Sequence, residues 1–158
     1  MVHIKITSNH DFIKQLFLSD TFNSFFLEEA TIKMANTFYV EGRIHKDFFS
    51  EEELKSNPLL EEEFRTWESL KAVCFDFIKG KKTPLYFKLV LHSSATEKLK
   101  KPEVKSYVLT IKFDGTTVYI TTGISLYTFQ LDKSPEEIWD SYILQLLSQN
   151  KIAYELES

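Results

Sequence analysis

The sequence predicts an α+β fold: a mainly antiparallel sheet with three amphipathic helices, in the order β-α-β-β-α-β-β-β-β-α-β. Three observations predict it. Short runs alternate apolar and polar residues, the mark of strands with one buried face. Three longer stretches carry apolar residues at helical spacing. Most neighbouring strand runs are joined by short turn sequences, which makes them hairpins and the sheet antiparallel. Each helix can cover a sheet face, and no segment reads as a linker, so 1–158 reads as a single domain.

The first strand is Val2, Ile4 and Ile6, alternating with His3, Lys5 and Thr7. Asn9 is placed to cap a short helix whose apolar side is Phe12, Ile13, Leu16 and Phe17. Residues 25–34 alternate again, with Phe26, Ala30, Ile32 and Met34 on one face and Glu28 out of pattern near a strand end. A turn at Ala35-Asn36 leads into Phe38, Val40, Gly42 and Ile44, the second arm of a hairpin. Ser50 and Glu53 have the spacing of a capping box. Asn57-Pro58 restarts the helix, which then runs through Phe64, Trp67, Leu70, Cys74, Phe77 and Ile78 to Gly80.

Leu85, Phe87, Leu89 and Leu91 form the next strand, followed by a polar loop over 93–102. Tyr107, Leu109, Ile111 and Phe113 alternate up to Asp114-Gly115, a strong hairpin signal. Val118 and Ile120 return, Gly123 is read as a bend or a bulge, and 126–131 as a further strand. Ser134-Pro135-Glu136-Glu137 opens the last helix by a capping box and a first-turn Pro, with a stripe of Ile138, Trp139, Tyr142, Ile143, Leu146 and Leu147. Ile152, Tyr154 and Leu156 close the chain as a short strand.

Composition narrows the function classes. Only four glycines occur, far apart at 42, 80, 115 and 123, which excludes the phosphate-cradling loops and dinucleotide fingerprints that need several within one turn. A single cysteine, Cys74, excludes an internal disulfide and a thiolate zinc cluster. It lies on a helix's apolar stripe and reads as an inert buried thiol. No run approaches a membrane-spanning length and no signal peptide is visible, so a cytoplasmic protein without membrane association is expected. The four histidines (3, 10, 45 and 92) lack ligand spacing, and the acidic runs 51–53 and 61–63 read as helix first turns, so no metal or cofactor is expected.

Charge is uneven. Residues 1–78 carry net −6, 79–112 carry +7 and 113–158 carry −5. Lysine outnumbers arginine 17 to 2, which suits backbone electrostatics better than base reading. The face opposite the core is unusual for a solvated one: Tyr39, Glu41, Arg43, Tyr86, Lys88, Val90, Val108, Thr110, Lys112, Thr117, Tyr119 and Thr121.

The runs V-H-I-K-I, D-F-I-K-Q-L-F, T-F-N-S-F-F-L-E-E-A and F-Y-V-E-G-R-I-H-K-D-F-F-S-E-E-E resemble an uncharacterised family of single-domain proteins from anaerobic Gram-positive bacteria, over nearly the whole chain. That resemblance implies no activity. The strand, short helix and hairpin, with a later helix in a similar setting, also resemble one domain of a DNA sliding clamp. Clamps present basic helices to DNA. Here the first helix has only Lys14, and the last has Glu136, Glu137 and Asp140 with no base before Lys151, which argues against DNA encirclement.

The expected function is a non-catalytic binding or protein-interaction module, with a protein partner or a second copy as its partner. Its candidate binding residues are Arg43, Lys81, Lys82, Tyr86, Lys88, Lys98, Lys100, Lys101 and Tyr119. One alternative is nucleic-acid association, with the lysine-rich 79–105 segment on the backbone and bases stacked on Tyr86 or Tyr119. The other is an enzyme with a dispersed site around Arg43, His45 and His92.

Overall fold

The computed structural model describes residues 1–93, 99 and 101–157. Among the described residues alternation delivers seven strands: β1 (His3–Ile6), β2 (Phe26–Lys33), β3 (Thr37–Glu41), β4 (Tyr86–His92), β5 (Val104–Phe113), β6 (Val118–Leu126) and β7 (Tyr154–Glu157). The helices are α1 (Asn9–Phe17), α2 (Glu51–Ser56), α3 (Trp67–Ile78) and α4 (Ser134–Gln149). The strands form one sheet in the order β3-β2-β4-β5-β6-β1-β7, antiparallel throughout. The α+β class and the mainly antiparallel sheet are as the sequence predicts.

One face of the sheet is buried. Ile4, Ile6, Leu27, Ala30, Ile32, Phe87, Leu89, Leu91, Leu109, Ile111, Val118 and Ile120 point into a single apolar cluster with Phe12 and Leu16 of α1, Trp67 and Cys74 of α3, and Trp139, Ile143 and Leu147 of α4. Each large side chain so buried contributes about 1.5–3 kcal/mol. Rings supply much of the contact: Phe17 meets Trp67, Phe75 and Phe87 at centroid distances of 5.4, 5.5 and 6.4 Å. The two indoles also satisfy their polar atoms. Trp67 Nε1 donates to the Leu16 carbonyl (2.8 Å) and Trp139 Nε1 to that of Val108 (2.9 Å).

Five local departures from the sequence reading have physical causes. In β2 the register shifts between Leu27 and Glu29, so Glu28 is a bulge and Leu27, not Phe26, joins Ala30 and Ile32 in the core. The helix read from Pro58 is a single 3₁₀ turn at Pro58–Glu61, and α3 starts only at Trp67. Residues 64–66 between them are extended, because their backbone is taken by other strands. The Leu27 N–H donates to the Arg65 carbonyl (2.8 Å), the Arg65 N–H to the Gly42 carbonyl (2.8 Å), and the Trp67 N–H to the Phe25 carbonyl (2.7 Å). Tertiary pairing overrides the helical pattern there.

The third departure concerns the segment read as a separate strand over 126–131. β6 runs straight through Gly123, which pairs with Val108, and ends at Leu126 opposite Val104, where β5 begins. Beyond it the Tyr127 N–H still reaches the Glu103 carbonyl (3.1 Å), and Tyr127, Phe129 and Leu131 are exposed. Two caps also differ. Asp132, not a Ser134 box, holds the start of α4, accepting from the Ser134 N–H and hydroxyl (both 2.9 Å). Asn9 ties α1 to the β5–β6 hairpin instead of capping it, donating to the Thr116 carbonyl (2.6 Å). The Ser50–Glu53 capping box of α2 and the Asp114-Gly115 turn, with Gly115 at φ +102°, form as read. Among the described residues no helix is long and apolar enough to cross a membrane.

Candidate functional site

α1, α3 and α4 all pack on one side, and on the other sheet face the side chains are exposed or half-buried apart from Val90, which is buried. The residues of that face follow from the strand register. Tyr39, Thr31, Lys88, Lys112, Tyr119, Lys5 and Glu155 stand in one row across all seven strands. Glu41, Glu29, Val90, Thr110, Thr121, His3 and Glu157 form the next row, about 7 Å along the strands. Lys88 and Lys112 are direct cross-strand partners on the two central strands. Like charges so placed lie about 5 Å apart at the backbone and cost stability. Lys5 follows two strands beyond Lys112, with Tyr119 of β6 between them. Among the described residues, none of these three lysines makes an ion pair.

The carboxylates of this face lie on its flanks, Glu29 and Glu41 on β2 and β3, Glu155 and Glu157 on β7. Glu29 is engaged: it accepts from the Tyr39 hydroxyl (2.7 Å), and that bond holds the phenol above its usual range. Lys33 sits over the Tyr86 ring at 5.2 Å. The face therefore has a basic centre and an acidic rim.

A cleft of about 1020 Å³ opens where β4 ends and β5 begins. Residues 43–66 bring Phe64 over the sheet here, and its ring lies 5.3 Å from His92 and 5.1 Å from the Arg43 guanidinium carbon. His92 Nε2 is 3.1 Å from Glu28 Oε1, the bulge residue of β2. Arg43 Nη1 donates to Glu63 (2.8 Å), and its Nε lies 3.5 Å from Glu41. Lys101, Lys105 and Ser106 add to the polar lining.

The candidate residues thus separate. Lys88 and Tyr119 share the central row, and Tyr86 lies on β4 just beyond it, under Lys33. Lys81 and Lys82 are exposed in the turn before β4, and Lys101 lines the cleft at that strand's other end, so the lysine-rich segment does not form one patch there. Lys98 and Lys100 lie outside the described residues. Arg43 is already paired with carboxylates, and His45 does not line the cleft that joins Arg43 to His92. Lys5 and the Glu28–His92 pair were beyond sequence reasoning, because the β1–β6 pairing and the β2 bulge create them.

Other chemistry-bearing groups are structural. Cys74 is buried in the core, and burial pushes its thiol up to about 11. Glu51–Glu53 occupy the exposed first turn of α2, as expected. The second acidic run departs from the helix reading, since Glu62 and Glu63 follow the 3₁₀ turn and Glu63 pairs with Arg43.

A family model, described as a family of unknown function (DUF5721), matches residues 15–155. No curated protein and no solved structure matches the chain.

Proposed function

The chain belongs to this family of unknown function, so its role has to be argued from its own residues, and we propose that it is a non-catalytic binding module that docks an acidic segment of a protein partner on the open sheet face. One observation carries the reading: Lys88 and Lys112 face each other on the central strands, with Lys5 beyond Tyr119 and across from Glu155 of β7, and none of the three makes an ion pair among the described residues. An anionic ligand relieves that repulsion and gains charge-assisted hydrogen bonds. The acidic rim favours a compact group of carboxylates over a long polyanion, whose ends would cross Glu29 and Glu41 or Glu155 and Glu157. The lone buried thiol suits a reducing compartment, and we place the module in the cytoplasm.

The test is a fluorescence-anisotropy titration with a labelled oligoglutamate peptide and, in parallel, a single-stranded oligonucleotide of similar length. The proposal expects peptide binding that weakens steeply with salt. Tighter binding of the oligonucleotide would transfer the face to nucleic acid, with Tyr119 as its stacking ring. A second reading rests on the cleft, where Glu28 orients His92 as an acid–base group for an enzyme. It expects turnover of small esters or phosphoesters that His92→Ala abolishes, and no turnover by the wild type sinks it.

A further inference from the structure

The two edges of the sheet differ in a way that bears on self-association. Just past β3, the Gly42 N–H donates to the Glu28 carbonyl (2.9 Å), and across the turn before it the Met34 N–H donates to the Asn36 carbonyl (2.9 Å). Antiparallel bonding alternates, so Phe38 and Val40 bond to β2. Thr37, Tyr39 and Glu41 then direct their backbone N–H and C=O groups outward, at a sheet edge. At the other edge the Thr7 N–H donates to the Ala153 carbonyl (3.1 Å), which leaves the outward groups of β7 to Tyr154 and Leu156.

We infer that β3 is a homodimer edge, pairing antiparallel with β3 of a second copy about a two-fold axis at Tyr39. The centred register sets Thr37 against the second copy's Glu41, Tyr39 against its own equivalent, and Phe38 against Val40. About six backbone hydrogen bonds form. No like charges meet, Phe38 with Val40 is a favourable aromatic–β-branched pair, and the two tyrosines add a ring contact on the open face. Phe38 is already fixed by stacking on Phe77 of α3, with ring centroids 4.2 Å apart, so the strand docks without first being ordered. β7 is built against the same act. In either register that overlaps its Tyr154–Glu157 stretch most, Glu155 meets Glu155 or Glu157 of the copy, with no base on that strand to offset it. One edge is therefore self-complementary and the other self-repelling, and association through β3 closes as a dimer instead of growing into a fibre.

Sedimentation equilibrium of the full chain tests this across the micromolar range. The expected species has twice the 18.5 kDa chain mass. Thr37→Glu places Glu against Glu41 twice per dimer and is expected to weaken association about tenfold. Adding Glu41→Lys to that variant restores it. Tyr39→Pro removes an N–H that β2 does not use and should leave a folded monomer. If the proline variant fails to fold, the charge pair carries the test alone. A wild-type monomer at every concentration, or a dimer indifferent to Thr37→Glu, overturns the inference. These outcomes are independent of the acidic-segment reading, since none of the three lysines lies in β3.

Discussion

At Gly42 three backbones converge, and no larger residue fits. A Cβ there would lie 1.7 Å from the Leu27 carbonyl oxygen, in the stretch where residues 64–66 enter between β2 and the end of β3. Gly42→Ala is expected to cost about 4 kcal/mol or more, read as a drop in the urea midpoint. Gly123→Ala is the control: nothing lies within 4 Å of its Cβ position, and the change should be neutral or slightly stabilising. Asp114 gives a pH signature. The N–H groups of Thr117 and Thr116 hold its carboxyl below the usual range. A depressed folded pKa means that its contribution is complete above the unfolded value of about 3.9 and fades as pH falls below it. Protection of the Thr117 amide from exchange, relative to the free-peptide rate at each pH, should therefore fall below that pH in the wild type and be less pH-sensitive in Asp114→Asn. The burial of Cys74 was legible from its place on an apolar stripe; the crowding at Gly42 was not, because the segments that meet there are distant in sequence.

At the scale of elements, legibility tracks how local the determining interactions are. The Ser50–Glu53 box and the Asp114-Gly115 turn are set by residues within three or four positions, and both were read directly. The 62–66 segment reads as helix in the sequence because its partners, Phe26 and Leu27 at the start of β2 and Gly42 to Ile44 just past β3, are distant in the chain. The same logic hid the extent of β6, since a strand ends where its neighbour does. Ser50→Ala removes one capping hydrogen bond and should cost about 1 kcal/mol of local helix stability. α2 buries no residue, so the loss should appear as faster amide exchange in 51–56 with little change in the global midpoint. The β4–β5 pair predicts the reverse. Lys88→Glu turns a repulsive cross-strand pair into an attractive one and should raise stability by about 0.5 kcal/mol, seen as a higher urea midpoint.

Across the whole molecule, strand order determines what the face can do. A net charge of −4 conceals a +7 segment in the sequence, yet the segment itself is not the site. The sheet takes Lys88 and Lys112 from it, leaves Lys81 and Lys82 at one end of β4, and recruits Lys5 from the N-terminal strand. The set of residues opposite the core was legible from period-two alternation. Which of them become neighbours depends on the β6-β1 and β2-β4 adjacencies, which no local pattern encodes.

The central claim is that these three lysines hold an acidic partner at the expense of fold stability. A backbone amide chemical-shift titration of the full chain with oligoglutamate, repeated on Lys88→Glu/Lys112→Glu, tests it most directly. The account predicts shifts confined to β1, β4, β5 and β6 around Lys5, Lys88, Lys112 and Tyr119, and their loss in a double variant that remains folded. Shifts centred on the Arg43–His92 cleft, or binding that survives both charge reversals, would contradict it.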